Sequence, residues 1–82
     1  MEIKGIEQSI RSIIARLSNV PEDGDADADL YLDFGMPSVQ ALALLQELEE
    51  CFGVSIPDEQ FVESTTIAKL TITLDGILNP RV

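Results

Sequence analysis

Histidine and tryptophan are missing from these 82 residues, and cysteine and tyrosine occur once each. Without histidine the chain lacks both the commonest general acid–base side chain and the commonest metal ligand. Glycine-rich phosphate loops and nucleophile–base pairs are also absent, so the expectation is a protein that is not an enzyme and holds no metal. A lone thiol, Cys51, excludes an internal disulfide and fits a reducing cytoplasm. No run of about 20 apolar residues is present, so no membrane span is expected, and the N-terminus has no signal-peptide pattern. Eighty-two residues suffice for one small core but not for a buried catalytic cavity, and residues 1–82 read as a single domain. The leading Met and the one-domain length suggest a free-standing protein.

Basic residues are scarce and unevenly placed. Fifteen acids face five bases, for a formal net charge of −10. Between Leu17 and Ala68 there is no Lys or Arg, yet 12 of the acids lie there. Lys4, Arg11 and Arg16 precede that window; Lys69 and Arg81 follow it. A middle of one sign steers basic partners toward it and repels nucleic acid. Solubility alone does not require so lopsided a distribution.

What is present is helical periodicity. Ile3, Ile6, Ile10, Ile13, Ile14 and Leu17 recur at spacings of three and four, which predicts an amphipathic helix over 2–18. Asn19, as a left-handed cap, and Pro21 supply its stop. Residues 19–37 form a connection long enough to be functional. Its first half is polar and reads as the freer part, whereas Leu30, Leu32 and Phe34 are expected to tuck under the bundle. Asp25, Asp27 and Asp29 have the first spacings of a calcium loop, but Leu30 stands where that loop needs Gly and Met36 where it needs Glu.

The second helix is expected over 38–52, ended by Gly53 in the left-handed conformation. Ala41, Leu44, Leu45, Leu48 and Phe52 gather on its inner face, with Cys51 as an inert thiol at the core margin. Its outer arc carries Val39, Gln40, Ala43, Gln46, Glu47 and Glu50, which is either a solvated face or a docking face for a basic partner. Asp58 is expected to cap a short helix over Glu59–Glu63 with Phe61 and Val62 turned inward. Ser64, Thr65 and Thr66 offer a cap for a last helix, Ile67 to about Leu78. Thr71, Ile72 and Thr73 favour strand locally, but a lone strand has no partner here. The fold class is therefore all-α, a small four-helix bundle of three main helices and one short one with a long first loop.

Ser38 stands at the junction of the acidic loop and the second helix. Its hydroxyl is placed beside unpaired backbone N–H groups at the positive end of a helix dipole. A phosphate ester formed there is electrostatically favoured, which marks Ser38 as an attachment point.

The run Phe34-Gly35-Met36-Pro37-Ser38-Val39 resembles the Leu-Gly-x-Asp-Ser-Leu motif of acyl carrier proteins. Leu48-Glu49-Glu50-Cys51-Phe52-Gly53, Ile56-Pro57-Asp58-Glu59 and Thr65-Thr66-Ile67 are similar to three further blocks of that family, in the same order and spacing. The resemblance covers about Leu30 to Leu78. It implies that Ser38 carries 4′-phosphopantetheine, transferred from coenzyme A by a magnesium-dependent phosphopantetheinyl transferase, with Gly35 leaving room for that enzyme. It further implies a monomeric cytoplasmic carrier of thioester-bound acyl groups in fatty acid, polyketide or specialised lipid biosynthesis. The outer arc of the second helix would meet acyl-transferring and acyl-modifying enzymes through their basic docking patches. Leu45, Ile56 and Ile67 would line a shelter for the acyl chain or simply form core. Pro37 replaces the family's Asp, and Gln40 and Ala43 stand where further acids are usual, which implies a specialised set of partners. Peptidyl carriers usually have a less acidic motif. The competing reading is a carrier-like acidic scaffold that is never modified.

Overall fold

The isoleucine stripe folds as helix α1 (Ile3–Leu17) in the computed structural model, which describes residues 2–80. Ile6, Ile10, Ile13 and Ile14 are buried, while Ile3 at the head of the stripe is exposed and Leu17 at its foot half-buried. Asn19 does not cap the helix as expected, and among the described residues only glycines have positive φ. Ser18 closes it instead: its N–H and its Oγ both donate to the Ile14 carbonyl, at 2.9 and 3.0 Å. A serine hydroxyl satisfies an orphan carbonyl without a left-handed turn.

Helix α2 (Ala41–Phe52) is preceded by a 3-10 turn, Ser38–Gln40, so the expected helix over 38–52 is tightened in its first turn. Pro37 sits outside that turn as an extended N-cap, with φ −63° and ψ 137°. Leu44 and Leu48 are buried; Ala41, Leu45 and Phe52 are half-buried against them. Gly53 ends α2 at φ 66° and ψ 37°, as its position predicts. A Cβ at Gly53 would meet nothing within 4 Å, so only backbone conformation resists substitution. Gly53→Ala is therefore expected to destabilise the fold by about 1–2 kcal/mol, the cost of an L-residue in that region. A lower urea midpoint at unchanged m-value is the check.

Helix α3 (Asp58–Glu63) begins after an extended Pro57 and has no side-chain cap, so Asp58 does not play the capping role expected of it. Asp58 and Glu59 lie in its first turn, where their charge favours the helix dipole. Phe61 is buried but Val62 is 71% exposed, contrary to expectation. Adjacent helical residues point about 100° apart, and a helix of so few residues has only one narrow inner face. Cys51, in the last turn of α2, is exposed rather than at the core margin.

Helix α4 (Ile67–Leu78) is capped by Thr66, whose Oγ1 accepts from the Lys69 N–H at 3.1 Å. Ile67, Leu70 and Leu74 are fully buried. Thr71 is also buried, and its Oγ1 donates to the Ile67 carbonyl at 2.8 Å, so the helix satisfies the hydroxyl that locally favoured a strand. Helix α4 packs most extensively against α1, and α1 also packs against α2. Ser64 joins α3 to α4: its Oγ donates to the Gln60 carbonyl at 2.7 Å and lies 2.8 Å from Thr73 Oγ1. No helix among the described residues is long and apolar enough to cross a membrane.

Candidate functional site

Ser38 is positioned by the loop that precedes it, and that loop is tied to two helices. Arg11 on α1 donates through Nη1 to the carbonyls of Glu22 and Gly24, at 2.8 and 2.6 Å, and through Nε to Glu7 at 2.9 Å. The Ala68 N–H of α4 donates to the Ala26 carbonyl at 2.9 Å. The first half of the loop, expected to be the freer part, is thus held at several points.

Asp29 is the hub of the second half. Its Oδ1 accepts from the N–H groups of Tyr31 and Leu32 at 2.9 and 2.8 Å, and its own N–H donates to Asp33 Oδ2 at 2.6 Å. Asp29 also forms an isolated antiparallel bridge with Thr66, beside a 2.9 Å bond from the Leu30 N–H to the Thr65 carbonyl. The spacing that suggested calcium ligands serves turns instead: Asp25 Oδ1 accepts from the Asp27 N–H at 2.9 Å, and Asp29 caps the turn after it. Leu30 is fully buried and Phe34 half-buried, but Leu32 is 86% exposed and does not tuck under the bundle. The chain then reverses at Gly35, with φ 71°, and buries Met36 as a plug. Gly35 is needed for that φ; within the chain, a Cβ there would meet nothing within 4 Å.

The hydrogen bond from the Leu32 N–H holds the Asp29 carboxyl below its ordinary value of 3.8. Partial burial opposes this, while the Tyr31 N–H, the Thr65 hydroxyl and the Lys69 charge reinforce it. Burial and the nearby Asp29 charge push the Tyr31 phenol up. Because the folded pKa of Asp29 is depressed, its contribution to stability is full above 3.8 and is lost as pH falls through the folded value. Asp29→Asn keeps an acceptor without the charge. It is expected to lower the urea midpoint at neutral pH, with the gap to the unsubstituted chain closing below pH 3.8.

At the end of this loop Ser38 is exposed, and its hydroxyl bonds to no described residue. The leading N–H groups of its 3-10 turn lie where an intrahelical acceptor is missing. Of the outer-arc residues named from the sequence, Val39 is 84% exposed, Gln46 and Glu50 are exposed, and Ala43 is half-buried. Glu47 is engaged already: its Oε2 accepts from Arg16 Nη2 at 2.8 Å. That exposed pair contributes about 0–1 kcal/mol.

Gln40 departs from the expected outer arc. It is half-buried, its Oε1 is buried without a hydrogen-bond partner among the described residues, and it borders a cavity of about 270 Å³ between the end of α1 and the loop before Ser38. An unsatisfied buried amide oxygen costs about 1–3 kcal/mol. Neither this cavity nor the Arg16–Glu47 pair was legible beforehand, since both join segments far apart in sequence. Leu42, 62% exposed, adds an apolar contact to α2 that the two-arc reading omitted.

The chain is thus a small helical bundle with an exposed serine hydroxyl, bonded to no described residue, at the start of a 3-10 turn on a braced loop. Residues 8–74 match the family described as the phosphopantetheine attachment site, and the chain belongs to that family. It is 30% identical to the acyl carrier protein of Akkermansia muciniphila over 78 residues, covering 94% of this chain and 98% of that one. It is 27% identical over 73 residues to the non-reducing polyketide synthase pkbA of Emericella nidulans, covering 89% of this chain and 3% of that protein. No solved structure matches. The all-α bundle and the acyl carrier resemblance both stand, and the group belonging to this family is 4′-phosphopantetheine. The residues present fit it: a primary hydroxyl, exposed and bonded to no described residue, lies at a turn whose N–H groups favour an anion.

Proposed function

We propose that Ser38 is the attachment point of 4′-phosphopantetheine and that the chain presents acyl groups to biosynthetic enzymes. The observation that supports this reading is the exposed Ser38 hydroxyl, bonded to no described residue, at the end of a loop anchored to α1 and α4. In the loading step Ser38 Oγ forms a new P–O bond as the pyrophosphate of coenzyme A breaks, releasing the adenosine bisphosphate half. The hydroxyl proton passes to a base on a separate magnesium-dependent phosphopantetheinyl transferase. Once attached, the arm supplies a thiol that holds acyl groups as thioesters. The chain itself provides tether, orientation and a docking face, and no catalytic residue. Residues 1–82 act as one carrier domain, a monomer in the cytoplasm, serving fatty acid, polyketide or specialised lipid enzymes.

Val39, Ala43, Gln46, Glu47 and Glu50 form the docking face. Val39 offers apolar area next to the attachment point, and the two acids meet cations on the partner. Gln40, turned inward, takes no part in that face. The test is loading: incubation with coenzyme A, magnesium and a broad-specificity transferase, read by intact mass, is expected to add one phosphopantetheine. No gain with that enzyme or with one from the chain's own host would favour the unmodified acidic scaffold.

Pro37 tunes this step. It stands as the N-cap of the Ser38 turn, where Asp is among the preferred residues, so Pro37→Asp is expected to shift stability by no more than about 1 kcal/mol. It restores an acid beside the acceptor serine for a transferase cation to meet. Its kcat/KM as a transferase substrate should rise roughly tenfold, the equivalent of one modest charge-assisted contact. Loading time courses at matched concentrations provide the comparison.

A further inference from the structure

The chain carries a buried polar atom without a partner beside the residue that takes the arm. Gln40 Oε1 has no hydrogen bond, and Gln40 lines the cavity together with Ser18, Asn19, Val20, Phe34 and Met36. Pro37, the neighbour of Ser38, forms part of the same wall. In a chain of net charge −10, no acid or base lines this cavity. Its chemistry therefore suits a neutral ligand with amide groups and a short apolar stretch, not a cationic partner.

We propose that this cavity is a resting site for the attached arm, in which Gln40 Oε1 accepts a hydrogen bond from an amide N–H of the pantetheine portion. The inference rests on the reading of Ser38 as the attachment point. The arm offers secondary amides, which are neutral donors, and a branched aliphatic segment that matches Val20, Phe34 and Met36. Gln40 lies two residues from Ser38, so docking is intramolecular, and a tethered ligand reaches effective concentrations in the millimolar range. A weak site is populated under those conditions. At about 270 Å³ the cavity is smaller than the usual pocket for a whole small molecule, so it takes the amide-bearing stretch and leaves the thiol and its cargo outside. Oε1 is shielded in the unloaded chain, so the proposed bond requires the Gln40 carboxamide to turn toward the cavity. The bond then satisfies an oxygen that is otherwise buried and unpaired.

The experiment uses the isotope-labelled chain loaded with an unlabelled arm and verified by intact mass. Nuclear Overhauser contacts from arm protons to the side chains of Val20 and Met36 are expected. The backbone amides of Ser18 and Asn19 should shift between unloaded and loaded protein. In loaded Gln40→Leu, a near-isosteric change that removes the acceptor, the shifts at Ser18 and Asn19 should be lost while those beside Ser38 persist. A loaded chain whose shifts stay confined to the residues flanking Ser38, with no contacts to Val20 or Met36, overturns the resting site and leaves the attachment reading intact. A chain that gains no mass at all fails the attachment reading itself, and the resting site falls with it.

Discussion

Ser38→Ala is expected to take up no phosphopantetheine from coenzyme A, yet to unfold within about 0.5 kcal/mol of the unsubstituted chain. The loss is complete because phosphoryl transfer needs a hydroxyl acceptor, and Ala has none. The fold is indifferent because the Ser38 side chain is exposed and its hydroxyl holds no bond to the described residues. The N-cap position belongs to Pro37, so no capping interaction disappears with the hydroxyl. Circular dichroism and urea titration of the Ala variant, beside its intact mass after loading, separate the two effects. A variant that unfolds would show that Ser38 is a structural residue.

The second large effect falls on stability. Leu70 is fully buried on α4, in one core with Ile6, Ile10 and Ile14 of α1 and Leu44 and Leu48 of α2. Leu70→Ala removes three carbons from that core and leaves a cavity, at a cost of about 3 kcal/mol or more. A domain of this length holds only about 4–12 kcal/mol in total, so the substitution removes a large share of it. The thermal midpoint should fall by about 12–24 °C. Val62→Ala is the matched control: Val62 is 71% exposed, and its loss should stay within about 0.5 kcal/mol. Equal losses at the two positions would mean that α3 presents a different face to the core.

The contrast between Leu70 and Val62 also shows what periodicity can and cannot reveal. Over α1 and α4 the apolar stripe runs for three turns or more, and apart from the exposed Ile3 and the missing Asn19 cap its buried residues and the Thr66 cap fell where the pattern put them, as did Gly53 at the end of α2. Over α3 the stripe has no length to average over, so Phe61 and Val62 read alike. Leu30, Leu32 and Phe34 look like an alternating strand pattern. The Asp33 N–H, however, donates to the Asp29 carbonyl at 2.9 Å, a helical spacing. On a helical turn Leu30 and Leu32 point about 200° apart while Leu30 and Phe34 nearly coincide, and the burial follows that geometry.

The site was legible in part. The junction of an acidic loop with an apolar helix singles out Ser38 in the sequence as a candidate, because helix starts and anions are coupled by elementary electrostatics. The bracing of that junction was not legible. Arg11 reaches carbonyls of Glu22 and Gly24, and Asp29 pairs with Thr66, across separations that no local pattern encodes. The same holds for Glu47, whose charge is partly answered from within by Arg16, and for Gln40, whose side chain turns inward.

The most direct measurement is the mass of the protein isolated from its own host, followed by cleavage after acidic residues. No Lys or Arg lies between Leu17 and Ala68, so trypsin leaves the site in one long peptide, but cleavage after Asp33 and Glu47 releases Phe34–Glu47. Ser38 is the one hydroxyl-bearing residue of that peptide. A Phe34–Glu47 peptide bearing one phosphopantetheine is the expected result and fixes the attachment at Ser38. An unmodified peptide together with an unmodified intact mass would contradict it, leaving a carrier fold that serves as an acidic scaffold.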